Sequence, residues 1–127
     1  MRYMNTVINA AIIKDDKILL VKKRDAWILP EGKLNSNESD LECLSKEIAE
    51  KLSGAKLEVL CYYGDFFGYA HHEKYELITK VYLAYLVEDE FKPSSEISAA
   101  WVDDTTNYSL SDVTVKIINA LKGDEYL

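Results

Sequence analysis

The fold is decided by residues 27–54, which read WILPEGKLNSNESDLECLSKEIAEKLSG. The first residues form a short apolar run that predicts a strand, and the polar stretch around Gly32 is typical of a loop. Ser39 is predicted to cap a helix because Glu42 stands three residues later, as in a capping box. Gly54 marks the end of that helix. The stretch therefore predicts a strand, a loop and a helix in direct succession.

The predicted helix carries an apolar stripe that should face the core. Its members are Leu41, Leu44, Ile48 and Leu52. On a helical wheel of about 100° per residue, Glu47 and Glu50 fall together on a flank away from this stripe. Because these residues are one turn apart, their carboxylates can converge on one hard cation such as Mg²⁺. The alternative is a solvated surface, since Lys46–Glu50 and Glu47–Lys51 are oppositely charged pairs at i,i+4.

The rest of the chain predicts more strands and a second helix. The strands are expected at residues 6–13, 18–21, 56–63, 75–87 and 97–102, and the helix at residues 111–121. Polar loops are expected at residues 64–74, which are rich in aromatic side chains, and at residues 88–95. This order predicts an α/β or α+β layered domain with a mixed sheet, in which residues 1–127 form a single domain.

Composition and charge exclude several classes of function. The 127 residues include 15 Lys+Arg and 22 Asp+Glu, a net charge of −7, which disfavours a nucleic-acid polymer as partner because its phosphates require many cationic contacts. The apolar runs fall short of the ~20 residues of a membrane-spanning helix, and no signal peptide is visible. Two cysteines that fit neither a disulfide framework nor a metal knuckle favour the cytoplasm. The oligomeric state is left open, with a homodimer as one alternative.

A motif across the loop and the helix resembles that of a known family. It reads Gly32-x5-Glu38-x7-Lys46-Glu47-Ile48-x-Glu50-Lys51 and resembles the Nudix box, G-x5-E-x7-R-E-U-x-E-E-x-G-U, where U is a bulky aliphatic residue. The pattern W-x-L-P-x-G at residues 27–32 and the pattern E-I-x-x-x-W at residues 96–101 are similar to the same family. The resemblance implies a Nudix-type α/β/α sandwich with a mixed β-sheet, a central Nudix helix and a C-terminal helix.

The resemblance also implies an activity and a set of site residues. The activity is hydrolysis of a nucleoside diphosphate linked to another moiety, with Mg²⁺ or Mn²⁺ as cofactor and a small nucleotide-type substrate. By position in the motif, Glu47 and Glu50 are implied as metal ligands and catalytic carboxylates. The backbone carbonyl near Glu31 or Gly32 is implied as a further metal ligand. Glu38 is implied as a catalytic residue, the loop carboxylate that pairs with the basic helix residue Lys46.

Among the departures from the family pattern, the one at Lys51 opens an alternative function. Lys46 stands where the family has Arg, and Lys51 stands where it has a third Glu. At i+4 from Glu47, the ammonium of Lys51 can sit where a cation would and compete with Mg²⁺, which would leave a catalytically impaired nucleotide-binding or sensor module. Lys51 can instead point to solvent or touch a substrate phosphate. The candidates for the missing ligand are then Glu73, Glu76 and Glu96.

The substrate-binding residues are predicted around the aromatic loop and near the strand ends. The candidates are Phe66, Phe67, Tyr69, Glu76, Arg24 and Lys33, and Lys22 and Lys23 are further basic residues beside Arg24. The aromatic rings could stack on a nucleobase, with about 1 to 3 kcal/mol for each stack, and the basic residues could counter phosphate charge. The alternatives are packing of the rings in the core, solvated charges at strand ends, and a protein partner bound through the aromatic loop.

Overall fold

The computed structural model describes residues 5–33, 37–52, 54–69, 76–87 and 98–127. Within these residues, seven strands form one sheet, with the order β3-β2-β1-β6-β5 and with β4 paired to β1 and β7 paired to β2. The strands are β1 (Asn5–Lys14), β2 (Lys17–Lys23), β3 (Ala26–Ile28), β4 (Glu31–Lys33), β5 (Leu57–Tyr69), β6 (Glu76–Leu86) and β7 (Ala99–Val102). The helices are α1 (Asp40–Lys51) and α2 (Asp112–Gly123).

Strand β1 is the centre of the sheet because it pairs with three other strands. It runs parallel to β6 over eight residue pairs and antiparallel to both β2 and β4. The turn into β2 places Asp15 and Asp16 at φ of 52° and 63°, the left-handed backbone that a tight hairpin turn requires. The sheet is therefore mixed, as the sequence predicts.

The side chains of β1 alternate between two cores, one on each face of the sheet. Ile8, Ala10 and Ile12 belong to a buried cluster with the apolar residues of α1. Ala11 belongs to a second buried cluster with the apolar residues of α2. Each helix therefore covers one face, and the predicted α/β/α architecture is confirmed. Within the described residues, the helices are too short or too polar to cross a membrane.

The core face of α1 differs from the predicted stripe at one position. Leu44, Ile48 and Leu52 are buried as expected, but Leu41 is 47% exposed and Cys43 is buried in its place. On the helical wheel, this change turns the buried face by about 25° toward Glu47. Glu47 is consequently nearer to the sheet than the predicted stripe would place it, and this position decides its surroundings in the candidate site.

Two segments predicted as loops are strands. β4 was expected within a loop, but its three residues pair antiparallel with β1, where unpaired backbone groups would otherwise remain. Residues 64–69, also expected as a loop, extend β5 to its full length and pair with β6 through Tyr69↔Glu76. Two register irregularities let β5 continue past Gly64. The predicted loop at residues 88–95 lies outside the described residues.

Candidate active site

The site is built where β4 packs against α1, and a glycine makes this close packing possible. A Cβ at Gly32 would lie 2.7 Å from Cys43 Sγ and 2.9 Å from Glu47 Cγ, both too short for a real contact. The Cys43 thiol donates a hydrogen bond to the Lys33 carbonyl at 3.1 Å. Burial, and then the nearby negative charges, raise the pKa of Cys43, so the thiol stays protonated as a donor. These contacts hold Glu47 directly beside β4.

The start of α1 is fixed by its cap and by contacts with β6. Ser39 Oγ accepts a hydrogen bond from the Glu42 backbone N–H at 3.2 Å, so the predicted cap of α1 is confirmed. Asp40 accepts a hydrogen bond from the Tyr82 hydroxyl at 2.5 Å and lies 3.5 Å from Lys80 Nζ. Burial and then the Asp40 hydrogen bond raise the pKa of Tyr82 to about 12. The hydroxyl therefore stays protonated and anchors the first turn of α1 to the sheet.

The last turn of α1 places the ammonium group of Lys51 next to Glu47 and the Glu31 carbonyl. Lys51 Nζ donates a hydrogen bond to the Glu31 carbonyl at 2.8 Å and lies 3.6 Å from Glu47 Oε2. The two side chains are 27% and 31% exposed, so the pair is neither fully solvated nor closed to solvent. The ammonium thus lies between two of the groups that the motif implies as metal ligands, Glu31 through its carbonyl and Glu47 through its carboxylate.

The other acidic residues implied by the motif lie around this pair in different settings. Glu38 is half-buried just before α1, and Glu50 is exposed one turn beyond Glu47. The Glu31 side chain pairs with Lys23, at 2.6 Å between Nζ and Oε1. Across the parts of the chain that the structure describes, no group of three or more His, Cys, Asp or Glu residues is arranged to hold a metal ion.

The predicted substrate-binding residues are spread over several parts of the fold. Phe66 stacks on Tyr63 with ring centroids 6.1 Å apart, and it packs against the cluster under α2. Phe67 and Tyr69 lie further along β5 and are 54% and 47% exposed. The rings therefore lie on a strand and not on the predicted loop, and Phe66 is half-buried against neighbouring side chains.

The two basic candidates lie in different parts of the fold. Arg24 lies in the turn between β2 and β3, with φ of 57°, and Lys33 is exposed at the end of β4. Lys23, which precedes Arg24 in the sequence and was expected with it to counter phosphate charge, instead contacts the Glu31 side chain. The side chain of Glu76 and all of Glu73 and Glu96 lie outside the described residues, so the structure does not place these candidate ligands.

Comparison with known proteins gives the family. The NUDIX domain profile matches residues 4–107, more than half of the chain, so this protein belongs to the NUDIX domain family. No curated protein matches the chain. The matched range includes the glycine, the helix and the acidic residues described above.

Solved structures share the fold at low sequence identity. A UDP-X diphosphatase is 22% identical with a TM-score of 0.77, and the match covers 98% of this chain and 66% of that one. The MutT protein from Methanosarcina mazei is 20% identical with a TM-score of 0.79, covering 98% and 96%. An ADP-ribose pyrophosphatase from Streptococcus suis is 22% identical with a TM-score of 0.68, covering 96% and 92%. This chain thus spans just under two thirds of the first structure and nearly all of the others.

Proposed function

We propose that this protein is a Nudix hydrolase that cleaves a phosphoanhydride bond in a nucleoside diphosphate linked to another moiety. Family membership supports a hydrolase, and the names of two similar structures, a diphosphatase and a pyrophosphatase, describe enzymes of this kind. The observation that carries the proposal is Glu47, a partly exposed carboxylate held beside β4 and next to a cation. The proposal includes residues 1–127 as one domain in the cytoplasm, a location favoured by two free cysteines.

The predicted Mg²⁺ or Mn²⁺ does not fit at the centre of this site as the protein is folded. The resemblance implies the Glu31 or Gly32 carbonyl, Glu47 and Glu50 as ligands of the ion, but Lys51 Nζ already lies 2.8 Å from the Glu31 carbonyl. A divalent ion about 4 Å from an ammonium would be repelled by about 8 kcal/mol at an effective dielectric constant of 20. A metal ion between Glu31 and Glu47 therefore requires Lys51 to move away.

The residues of the chain itself can serve the hydrolytic step, in which water attacks phosphorus and the phosphoanhydride P–O bond to the leaving phosphate group breaks. The Glu47 carboxylate is exposed enough to receive a water molecule and can accept its proton as the water attacks phosphorus. The Lys51 ammonium, beside it, can counter the charge of the phosphate oxygens. A positioned general base contributes about 100-fold to 10,000-fold in rate. We therefore expect Glu47→Gln, which keeps the shape but loses the base, to lower kcat by about 100-fold or more.

The test is an assay of turnover over a panel of candidate substrates. The panel contains nucleoside triphosphates, ADP-ribose, diadenosine polyphosphates and nucleotide sugars, each with Mg²⁺, with Mn²⁺ and with EDTA, and released phosphate or pyrophosphate is followed. Glu42→Gln is the matched control, because Glu42 is an exposed glutamate in the first turn of the same helix. Turnover in the wild type and in Glu42→Gln, lost in Glu47→Gln, supports the hydrolase. Equal turnover in all three proteins contradicts the role of Glu47.

A second candidate function is a nucleotide-binding sensor without hydrolysis. The observation that favours it is the position of Lys51, whose ammonium lies where the motif implies a metal ion. An impaired enzyme of this kind keeps its affinity for nucleotides while it loses turnover. Calorimetric titration with the same panel separates the two functions, since saturable binding without any released product supports the sensor and excludes the hydrolase.

A further inference from the structure

Three features make the end of α1 a place for a positive charge. The Glu31 carbonyl accepts a hydrogen bond of 2.8 Å from Lys51 Nζ, and the Glu47 carboxylate lies 3.6 Å from the same nitrogen. Lys51 is also the basic residue of the last helical turn, where the partial negative charge of the helix end favours cations. A carbonyl, a carboxylate and a helix end supply oxygen atoms that can either coordinate a metal ion or accept hydrogen bonds from an ammonium.

The packing around Glu47 keeps these groups in place. The Glu47 Cγ would lie 2.9 Å from a Cβ at Gly32, so the stem of this side chain rests against the backbone of β4. The Glu31 carbonyl is held by the pairing of β4 with β1, in which Glu31 lies opposite Asn9. Lys51 is 27% exposed and contacts these groups through its terminal ammonium, so rotation about its own side-chain bonds is enough to remove the cation. Whether an ammonium or a metal ion occupies this position therefore depends on the side chain at position 51. The backbone does not have to rearrange.

We infer that the Lys51 ammonium is the resident cation of this site and takes the place of a metal ion between Glu31 and Glu47. The chain then binds a pyrophosphate group without a divalent ion at this position. An ammonium has three N–H donors, of which one is donated to the Glu31 carbonyl. Since the side chain is 27% exposed, a remaining donor can meet a phosphate oxygen that enters from solvent.

The first experiment measures metal binding directly, on the whole chain and without substrate. Mn²⁺ is titrated into the wild type, Lys51→Glu and Lys51→Met, and bound Mn²⁺ is measured from the loss of the free-ion electron paramagnetic resonance signal. We expect Lys51→Glu to bind Mn²⁺ at least about tenfold more tightly than the wild type, because a cation is exchanged for a carboxylate ligand. Lys51→Met, which only vacates the position, should lie between them.

A charge-matched control separates a local effect from the change in net charge. Lys56→Glu makes the same change in net charge at an exposed residue just after α1. We expect it to bind Mn²⁺ as the wild type does. If the wild type binds Mn²⁺ as tightly as Lys51→Glu, or if Lys56→Glu gains as much affinity as Lys51→Glu, the inference is overturned. Circular dichroism of each variant shows that it is folded, and Lys51→Met provides the test if Lys51→Glu does not fold.

The second experiment measures anion binding without metal. Inorganic pyrophosphate is titrated calorimetrically into the wild type, Lys51→Met and Lys56→Met in buffer that contains EDTA. We expect binding by the wild type and by Lys56→Met, and a loss of about tenfold or more in Lys51→Met. Equal affinity in the three proteins contradicts the inference. Because both experiments measure binding alone, their failure is distinguishable from a failure of the hydrolase proposal, which is read from turnover.

Discussion

Gly32→Ala tests the idea that a missing side chain sets the distance between β4 and α1. The new methyl group would lie 2.7 Å from Cys43 Sγ, 2.9 Å from Glu47 Cγ and 3.4 Å from the Cys43 carbonyl oxygen. The first of these neighbours is a buried thiol that is itself hydrogen-bonded to the Lys33 carbonyl, so it has little room to move. The substitution therefore has to push the helix away from the strand or displace the thiol.

The expected cost is that of overpacking a closely packed core. One inserted methyl group of this kind destabilises a protein by about 1–3 kcal/mol. For a chain of 127 residues, the unfolding entropy corresponds to a Tm change of about 4 °C for each kcal/mol. We therefore expect Gly32→Ala to lower Tm by about 4–12 °C. Because the same shift moves Glu47, turnover or nucleotide binding should fall as well.

The assay is thermal unfolding followed by circular dichroism, with two controls. Gly64→Ala is the matched glycine control, since its Cβ would meet only Phe66 at 3.8 Å, an ordinary contact. Cys43→Ala removes the sulfur atom. In that background, Gly32→Ala should therefore lower the free energy of unfolding by about 1 kcal/mol less than it does in the wild type. Equal costs in both backgrounds, or equal costs at Gly32 and Gly64, would refute the steric explanation.

Two further predictions concern stability. The pKa of both Tyr63 and Tyr82 is raised to about 12, chiefly by burial and then by hydrogen bonds to Asp124 and Asp40. Between pH 10 and 12 the unfolded chain has released these protons while the folded chain still holds them, so stability falls as pH rises. Tm measured across this range should decrease less in a Tyr63→Phe, Tyr82→Phe double variant, and an unchanged slope contradicts the assignment. Ser39→Ala removes the cap of α1 and should cost about 1 kcal/mol in urea unfolding, whereas a cost near zero would contradict the capping contact.

The sequence predicts most of the fold because each helix and most strands carry a local signal. The cap at Ser39 and the apolar spacing from Leu44 to Leu52 are properties of the helix alone, and the structure confirms them. β4 has no such signal, since its three residues become a strand only through pairing with β1. The burial of Leu41 and Cys43 is likewise not determined by the local sequence. Which of the two is buried depends on how α1 is rotated about its axis when it packs on the sheet. The strands of that sheet come from parts of the chain far from α1 in sequence.

The site was predictable in its position and not in its contacts. The spacing of the motif places Gly32, Glu47 and Lys51 in one strand–helix unit, and the structure brings these three residues together. The bond from Lys51 to the Glu31 carbonyl joins residues 20 positions apart, so it follows from packing and not from helical spacing. The spacing alone is compatible with two positions of the Lys51 side chain, one inside the site and one pointing to solvent. The roles of the predicted catalytic, metal and substrate residues stay predictions.

The pairing of β1 has a consequence for the order in which the polypeptide folds during synthesis. Its eight parallel pairs with β6 join residues about 70 positions apart, from Asn5↔Leu77 to Ile12↔Ala84. The ribosome has therefore completed the hairpin, β4 and α1 before the parallel neighbour of the central strand exists. Until then, that edge of β1 is open to pairing with another chain, which makes nascent or truncated polypeptides prone to aggregation.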